Sequence, residues 1–436
     1  MNIILLSGGS GKRLWPLSND IRSKQFIKFF KKEDGSYESM VQRVYRQIRK
    51  IDSDAKVTIA TSKSQVSAIH NQLGTDIGIS VEPCRRDTFP AIALAAAYLH
   101  DVQKVSPEES VVVCPVDPYV NDDYFVAIKE LGELAQKETA DLVLMGIDPT
   151  YPSAKYGYII PRDKERVSKV QEFKEKPDEA AAQKYIDAGG LWNGGIFSFK
   201  LKYVLGIAHQ LIDFTDYEDL FEKYESLNKI SFDYAVVEKE ENIAVFRFKG
   251  QWKDLGTWNT LTEAMEENAI GNAVIADTCE NVHVINELDL PILAMGLHDV
   301  VISASAEGIL VSDKHQSSYI KPYVDEFDQQ IMFAEKSWGN YLVIDATADS
   351  LTVKVTLHKG NRMNYHSHER RDESWNIISG TGRVILDGTE RIVHPGDTVS
   401  IPVGCRHTVI AETELQIIEV QFGKDIDVHD KVKHSI

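Results

Sequence analysis

Residues 2–17 read NIILLSGGSGKRLWPL, a short apolar run that ends in a glycine-rich turn with two basic residues behind it. The run has the length and composition of a buried β-strand. Glycines in such a turn let backbone N–H groups approach a phosphate chain closely, and Lys12 and Arg13 add positive charge beside it. The spacing matches neither a Walker loop nor the dinucleotide G-x-G-x-x-G pattern. On the glycines alone, a phosphate cradle and an ordinary strand-to-helix turn are equally good interpretations.

Further apolar runs follow this turn and alternate with helical patterns. VVVCPV at 111–116 and LVLMGI at 142–147 read as buried strands. FPAIALAAAYLHD at 89–101 reads as a crossover helix, because Pro90 stands near its start and Ala and Leu recur at helical spacing. Such alternation is typical of a parallel α/β sheet. The sequence therefore predicts an α/β domain over residues 1–265.

The residue pattern of the chain changes at about residue 268. Short β-branched runs punctuated by Asn, Gly and Asp predict a compact unit of short strands there. A more polar stretch at about 316–335 predicts a helical connector. Strand-like runs separated by turns at Gly380, Gly388 and Gly396 then predict a small β-barrel. The expected boundaries are residues 266–335 for the β segment with its connector and residues 336–436 for the barrel.

Composition restricts the kinds of partner. The 436 residues carry 48 Lys plus Arg against 66 Asp plus Glu, a net charge of −18. This excess of acid disfavours nonspecific binding to nucleic acid or to an anionic membrane, so a phosphorylated ligand must meet a local basic pocket. The longest apolar stretch, IALAAAYL at 92–99, is far shorter than the roughly 20 residues that span a bilayer. With no secretory signal and no CxxC pair among the cysteines, we expect a cytoplasmic protein with reduced thiols.

The glycine-rich turn is the first of several blocks that together resemble a known family. The blocks are GGSGKRLWPLS at 8–18, Lys24-Gln25-Phe26, Glu82-Pro83 with Arg86, Thr88 and Pro90, Pro115-x-Asp117, Tyr156-Gly157-Tyr158, Phe173-x-Glu175-Lys176-Pro177, Leu191-Trp192-Asn193, Asp233-Tyr234-Ala235 and Trp252-x-Asp254-x-Gly256-x-Trp258. In this order they resemble the sugar-1-phosphate nucleotidylyltransferases, specifically the long bacterial mannose-1-phosphate guanylyltransferases. The resemblance implies a Rossmann-like nucleotide-diphospho-sugar transferase domain, followed by a short left-handed β-helix segment.

The chemistry of such a transfer is limited by charge rather than by proton removal. A sugar 1-phosphate is largely dianionic at pH 7, since its second pKa is about 6, and its oxygen can attack the α-phosphorus of a nucleoside triphosphate without a general base. Catalysis must hold two polyanions in line and neutralise the transferred and leaving oxygens, which calls for Mg²⁺ and cationic side chains. Asp117 and Asp254 follow or end apolar runs, where a carboxylate at the edge of a sheet can hold a metal. The resemblance assigns both to Mg²⁺.

The resemblance implies a role for each matched residue. Arg13 and Lys24 are matched to the triphosphate and the leaving pyrophosphate, and with Asp117 and Asp254 they form the expected catalytic set. The expected nucleotide-binding residues are Leu6, Gly8, Gly9, Gly11, Arg13, Glu82, Arg86 and Asp87. The expected sugar-phosphate-binding residues are Gly157, Glu175, Lys176 and Asn193.

Two positions depart from the family pattern. Ser23 replaces the usual Pro before Lys24, and Asp87-Thr88-Phe89 replaces the usual Asn-Thr-Ala. The second change lies near the expected nucleobase pocket, where a carboxylate, which only accepts hydrogen bonds, replaces an amide. Such a change can alter which edge of a base is recognised. The bound nucleobase can therefore be guanine or another base.

Metal-binding side chains recur at fixed spacing in the predicted barrel. His366 and His368 stand at i and i+2 on a strand and face the same way, Glu373 follows, and a Pro-x-Gly bend precedes His407. Three imidazoles and a carboxylate suit Zn²⁺ or another divalent transition metal. The pattern resembles the cupin family, in the form fused to bacterial mannose-1-phosphate guanylyltransferases as a type II phosphomannose isomerase domain. Additional residues before Glu373, Ser374 in place of a usual His and a different C-terminal tail leave isomerase activity open.

Three functions follow from these patterns. The leading one is an enzyme that forms GDP-mannose and pyrophosphate from GTP and mannose 1-phosphate. The second keeps the chemistry but changes the nucleotide or the sugar 1-phosphate, and the third is a catalytically inactive sugar-phosphate sensor. Joint retention of the catalytic set and Lys176 argues against the sensor. The family resemblance also implies a homodimer.

Overall fold

The computed structural model describes residues 1–8, 12–19, 21–327, 331–424, 426 and 430–435. Gly9 and Gly11, two of the expected nucleotide-binding residues, lie outside these ranges. The chain divides into two compact units. The first comprises residues 1–10, 25–66 and 73–266, and the second comprises residues 11–24, 67–72 and 267–436.

The first unit is built on one large sheet with helices packed on it. Up to residue 262 the strands are β1 (Asn2–Ser7), β2 (Lys28–Lys31), β3 (Tyr37–Ser39), β4 (Lys56–Ser62), β5 (Gly78–Glu82), β6 (Ser110–Pro115), β7 (Pro118–Val120), β8 (Leu142–Ile147), β9 (Gly157–Pro161), β10 (Val167–Lys174), β11 (Leu191–Lys200), β12 (Ile243–Phe248) and β13 (Trp252–Asp254). The α-helices over this range are α1 (Met40–Ile51), α2 (Val66–Leu73), α3 (Thr88–Ala97), α4 (Asp122–Gln136), α5 (Glu179–Asp187), α6 (Leu201–Leu211), α7 (Tyr217–Lys223), α8 (Phe232–Ala235) and α9 (Trp258–Thr262).

The strand order places the carboxyl end of β1 where strands are added first on one side of the sheet and then on the other. Among the described residues the order is β5-β4-β1-β6-β11-β8-β12-β10-β9. β1 pairs in parallel with both β4 and β6, so later strands are added on both of its sides. In open α/β sheets a ligand crevice forms at the carboxyl ends of the strands beside such a reversal. The predicted α/β class is confirmed, and the three apolar runs correspond to β1, β6 and β8.

The sheet is mixed, whereas the alternation of strands and helices predicted a parallel one. β11 runs antiparallel to β6, β8 and β9, and β10 runs antiparallel to β12 and β9. Strand direction is set by the path of the connections, and a short apolar run has the same composition whichever way it points. Only tertiary structure therefore reveals that β11 is reversed.

Helix α3 lies at the centre of the first hydrophobic core. Every residue from Phe89 to Ala97 is buried, and its run of alanines lets the helix approach the strands closely. Pro90 lies in its first turn, where a missing N–H costs nothing. Asp87 caps the helix, because one of its carboxylate oxygens accepts a hydrogen bond from the Thr88 backbone N–H at 2.8 Å. The helix thereby fixes Asp87 shortly after the carboxyl end of β5.

The second unit begins with stacked short strands, as predicted. They are β14 (Ala269–Ile270), β15 (Ala273–Ile275), β16 (His283–Asn286), β17 (Ile292–Ala294), β18 (Val300–Ser305) and β19 (Gly308–Asp313). β14, β16 and β18 pair in parallel, and so do β15 and β17, which is the arrangement of a short β-helix. Described residues of the segments 12–19 and 21–24 contact this unit. Arg22 forms a two-bond ion pair with Glu287 at 2.7 and 2.8 Å, and Trp15 lies against Phe327 of the connector.

The predicted helical connector at 316–335 is largely not helical in the described residues. It contains a 3₁₀ turn at Gln316–Tyr319 and one short helix, α10 (Lys321–Val324). Its C-terminal part is the strand β20 (Phe333–Lys336), which pairs with Gly339–Ala346. The polar composition favoured a helix, but pairing with a barrel strand decided the conformation of this part.

The C-terminal barrel consists of two facing sheets. Its further strands are β21 (Gly339–Ala346), β22 (Ser350–Leu357), β23 (His366–Ser367), β24 (Arg371–Ser379), β25 (Gly382–Leu386), β26 (Thr389–Val393), β27 (Thr398–Ile401), β28 (His407–Ala411), β29 (Leu415–Gly423) and β30 (Val432–Lys433). The sheet orders are β20-β21-β22-β29-β24-β27 and β26-β25-β28-β23-β30. Their inner faces enclose a separate core around Trp375, which confirms the predicted cupin barrel. Among the described helices, none has the length and apolar character needed to cross a membrane.

Candidate functional site

A cavity of about 610 Å³ lies in the first unit at the carboxyl ends of its central strands. Leu6 and Gly8 reach it from the end of β1, and Pro115 reaches it from the end of β6. Other predicted residues that line it are Glu82, Asp87, Asp117, Asn193 and Asp254. The cavity therefore occupies the crevice that the reversal at β1 predicts.

Asp117 and Asp254 meet at this cavity because the strands beside them pair. β7 and β13 form an antiparallel ribbon in which Asp254 stands opposite Pro118, so Asp117 lies next to Asp254. Both side chains are half-buried. Burial and then the charge of Asp254 raise the pKa of the neighbouring Tyr156 hydroxyl above its usual range, so that group stays protonated. Two carboxylates at adjacent strand ends supply the oxygen donors that suit a hard divalent cation.

Three of the predicted sugar-phosphate-binding residues, Glu175, Lys176 and Asn193, lie in one group. Gly157 leaves the space that this group occupies. A Cβ atom at Gly157 would lie only 2.5 Å from Glu175 Oε2 and 3.3 Å from Asn193 Cβ, so a larger residue there would displace the Glu175 carboxylate. Glu175 Oε1 forms an ion pair with Lys176 Nζ at 2.7 Å. Glu175 Oε2 is buried and has no hydrogen-bond partner among the described residues. Because an unsatisfied buried acceptor is costly, this oxygen is suited to a hydroxyl donated by a ligand.

Asp233 belongs to the same group, although in the sequence it had no role beyond membership of the Asp-Tyr-Ala block. Asn193 Nδ2 donates a hydrogen bond to Asp233 Oδ1 at 2.6 Å, and both residues line the cavity. Burial, reinforced by the charge of Glu175, raises the pKa of Asp233 to about 6. Burial lowers the pKa of the Lys176 ammonium group, but the hydrogen bond and the charge of Glu175 raise it by more. The net result is a raised pKa. The group thus combines acceptors for hydroxyls with one cation.

Not every predicted residue lines the cavity. Arg86 Nη2 donates to the backbone carbonyl of Glu225, while its neighbour Arg85 lines the cavity. Arg13 and Lys24 lie in 3₁₀ turns of the segment 11–24, which belongs to the second unit. Arg85 and the exposed Lys229, which also lines the cavity, carried no sequence signal beyond their charge. A lone basic residue in a loop is usually a solvated surface charge, so the sequence could not have singled them out.

The barrel brings its three predicted histidines together. His366 pairs with His407 across β23 and β28, and the ligand atoms of His366, His368 and His407 lie within 4.8 Å of one another. All three side chains are buried. Burial lowers the pKa of His366 to about 2, which keeps its imidazole neutral, the form that ligates a metal.

Backbone carbonyls set the tautomer of these rings. The Nδ1 atoms of His366 and His407 lie 2.6 and 3.0 Å from the carbonyl oxygens of Asn364 and Cys405, and that of His368 contacts the Asp430 carbonyl. A carbonyl only accepts, so each Nδ1 carries the proton and each Nε2 presents a lone pair. Three imidazoles whose Nε2 atoms converge suit a divalent transition metal.

Glu373, the fourth predicted ligand, lies beside this cluster and is held by protein donors. Arg371 Nε donates to Oε1 at 3.0 Å, and Trp375 Nε1 donates to Oε2 at 3.1 Å. The carboxylate lies 3.0 Å from His368 Nε2 and 3.5 Å from His407 Nε2. Arg371 Nη2 also lies 3.1 Å from His368 Nε2. The converging set consists therefore of three histidines, with Glu373 and Arg371 in contact with it.

Comparison with known proteins agrees with this architecture. The profile of the family described as "Nucleotidyl transferase" matches residues 2–269, and that described as "Mannose-6-phosphate isomerase C-terminal" matches residues 325–435. The fold and the cavity define a nucleotide-dependent transferase, and the chain belongs to the nucleotidyl transferase family.

Relatives extend over both units. A mannose-1-phosphate guanylyltransferase of Salmonella montevideo is 28% identical, with 99% of this chain and 98% of that protein covered. The xanthan biosynthesis protein XanB of Xanthomonas campestris pv. campestris strain B100 is 30% identical, with 99% and 97% covered. The crystal structure of a mannose-1-phosphate geranyltransferase from Thermus thermophilus matches with a TM-score of 0.63 and 26% identity, covering 75% of this chain and 99% of that one.

Proposed function

We propose that this protein forms GDP-mannose and pyrophosphate from GTP and mannose 1-phosphate. The observation that carries the proposal is the cavity of the first unit, which is lined both by the paired carboxylates Asp117 and Asp254 and by Asn193 and Asp233 of the sugar-type group. The guanylyltransferase relative from Salmonella montevideo, alignable over 99% of this chain, supports the choice of nucleotide and sugar.

Each proposed site residue has a physical role in this transfer. Asp117 and Asp254 would hold Mg²⁺, which supplies positive charge to the phosphate oxygens when bound. Glu175 Oε2 would accept a sugar hydroxyl, and Lys176 would pair with the sugar phosphate. Asp87 commits one oxygen to capping α3, so its other oxygen is the atom that would accept from the N–H donors of guanine. Arg13 and Lys24 remain the proposed partners of the triphosphate.

The proposal is tested by measuring pyrophosphate release across four nucleoside triphosphates and several sugar 1-phosphates. The pair GTP and mannose 1-phosphate is expected to give the highest kcat/KM. A higher kcat/KM for another pair would replace the nucleotide or sugar while keeping the reaction. Absence of release with every pair would favour the sugar-phosphate sensor.

Glu175→Gln is expected to raise KM for the sugar 1-phosphate by at least about tenfold, because a hydrogen bond to a charged acceptor is worth roughly 1.5–3 kcal/mol. KM for GTP should change little. Steady-state kinetics with each substrate varied in turn measures both values. Glu172→Gln, an exposed position on β10, is the matched control. Equal rises in KM for both substrates would contradict a role confined to the sugar.

For the barrel we propose a metal centre that binds Zn²⁺ or another divalent transition metal and supports isomerisation of a hexose phosphate. Lys336, Arg371 and Lys431 line a barrel cavity of about 200 Å³ together with His366, which suits an anionic substrate beside the metal. A coupled assay from fructose 6-phosphate to mannose 6-phosphate tests this activity. Bound metal without turnover would leave a structural role for the barrel.

Arg371→Met is expected to tighten Zn²⁺ binding by at least about tenfold, because a guanidinium charge a few ångströms from the ligands repels a cation by about a kcal/mol or more. In the wild type Arg371 also competes for His368 Nε2 and Glu373. Competition titration with a chromophoric chelator measures the affinity. Arg370→Met, at the exposed neighbouring position, is the matched control. Unchanged or weaker binding in Arg371→Met would show that the arginine supports the site instead.

We further propose a cytoplasmic homodimer with domains at residues 1–265, 266–335 and 336–436. Apolar side chains on the β segment support self-association, since Leu293, Ile309 and Val311 are each more than 60% exposed. Sedimentation at micromolar concentration distinguishes a dimer from a monomer.

A further inference from the structure

A second cavity in the first unit shares no residue with the site described above. It has a volume of about 570 Å³ and lies among the end of β12, the start of α4 and the turn before β10. Its apolar wall is made by Phe246 and Phe248, both of which are buried in β12. A cavity of this size is comparable with the first one, at about 610 Å³.

Four cationic side chains line this cavity in a chain whose net charge is −18. They are Lys164, Arg166, Arg247 and Lys249, and Asp123 is the one carboxylate among the described lining residues. The lining side chains therefore carry more positive than negative charge, in a chain that is acidic overall. Because a positive cleft concentrates anions, the charge distribution favours an anionic ligand here.

The cations are not all neutralised by neighbours. Arg166 pairs with Glu130 at 2.8 Å and Arg247 pairs with Asp148 at 3.1 Å. Within the described part of the chain, Lys164 and Lys249 form no ion pair, and the buried Nε atom of Arg247 has no hydrogen-bond partner. A buried donor without an acceptor is costly, and an anion in the cavity would satisfy it.

We infer that this cavity is a second site for a diphosphate-bearing anion. Two lysine ammonium groups and an arginine donor facing one cavity match an ion with several phosphate oxygens better than a single carboxylate. Under the proposed function two such anions are products, free pyrophosphate and the diphosphate of the nucleotide sugar. Both anions carry a diphosphate group, and only the expected effect on turnover rests on the proposed function.

The position of the cavity connects it with the catalytic carboxylates. Asp123 follows β7 closely, and Lys249 lies shortly before β13, so residues that line the cavity flank both strands of the ribbon next to Asp117 and Asp254. Asn121 Nδ2 donates to Gln251 Oε1 at 3.1 Å, which joins these two connections. An anion bound here would act on the ribbon without entering the first cavity.

The test compares the full-length wild type with Lys164→Ala/Lys249→Ala. Binding of inorganic pyrophosphate, GDP and GDP-mannose is measured separately by calorimetry. Wild type is expected to bind two equivalents of the diphosphate ligand, and the variant is expected to lose the second equivalent or bind it at least about tenfold more weakly. Lys137→Ala/Lys184→Ala removes the same charge from exposed positions outside both cavities and should behave as wild type.

The outcomes distinguish pyrophosphate from GDP-mannose as the ligand. They also distinguish failure of the second site from failure of the proposed function. A second equivalent for pyrophosphate alone identifies the free ion, and one for GDP-mannose identifies the nucleotide sugar. In kinetics, a noncompetitive component of product inhibition should disappear in Lys164→Ala/Lys249→Ala while the competitive component stays. Equal stoichiometry and affinity in wild type, variant and control would overturn the second site. Loss of turnover with every substrate pair would refute the proposed function but leave the binding result standing.

Discussion

Asp117→Asn and Asp254→Asn are each expected to lower turnover by at least about 100-fold, as is typical when one charge or donor that stabilises a developing charge is removed. Asparagine keeps the volume of aspartate but removes its negative charge. The pairing of β7 with β13 brings Asp117 and Asp254 to one cavity, so loss of either charge should weaken the proposed cation site. The ribbon itself is held by backbone hydrogen bonds, and the fold should persist.

The measurement is turnover against Mg²⁺ concentration, with thermal unfolding as the check on folding. Half-saturation should move to higher Mg²⁺ in both variants. Asp187→Asn, at the exposed C-terminal residue of α5, removes the same charge away from the cavity and should leave the curve unchanged. Near wild-type turnover of either variant at saturating Mg²⁺ would exclude that residue as a metal ligand.

The fold was predictable where the sequence pattern follows burial. The apolar runs at 111–116 and 142–147 are buried except for Pro115, so composition alone places them in the sheet as β6 and β8. The direction of β11 was not predictable, because the same apolar residues are buried in either orientation. The strand at Phe333–Lys336 was missed for a related reason, since its conformation depends on pairing with a strand beyond it in sequence.

The residues that line the first cavity were predictable where a family block supplied them. Asp117, Asp254 and Asn193 line one cavity as the blocks imply. The blocks did not distinguish Arg85 from Arg86, because side-chain direction at adjacent loop positions depends on the partners each arginine finds. For Arg86 that partner is the Glu225 carbonyl, which is remote in sequence. The contact between Arg371 and the three-histidine cluster could not be predicted from the sequence either, because it depends on which side chains of β24 face the barrel interior.

His366→Ala/His368→Ala is expected to abolish metal binding by the barrel while leaving nucleotidyl transfer unchanged. The substitution removes two of the three imidazoles whose ligand atoms converge within 4.8 Å. His407 alone, even with Glu373 beside it, lacks the three protein ligands typical of a catalytic transition-metal site. The cavity with Asp117 and Asp254 is lined by residues of the first unit, whose hydrophobic core is separate from that of the barrel.

Elemental analysis after reconstitution with Zn²⁺ or Co²⁺ measures the metal, and pyrophosphate release measures the transfer. His358→Ala/His394→Ala, two exposed barrel histidines outside the cluster, is the matched control and should keep both. His368→Gln guards against unfolding of the double variant, because glutamine preserves bulk and hydrogen bonding but is a poor ligand for a transition metal. Full metal retention in the double variant would refute the three-histidine centre. Loss of transfer in a folded, metal-free variant would mean that the two activities are coupled, because the substituted side chains belong only to the barrel.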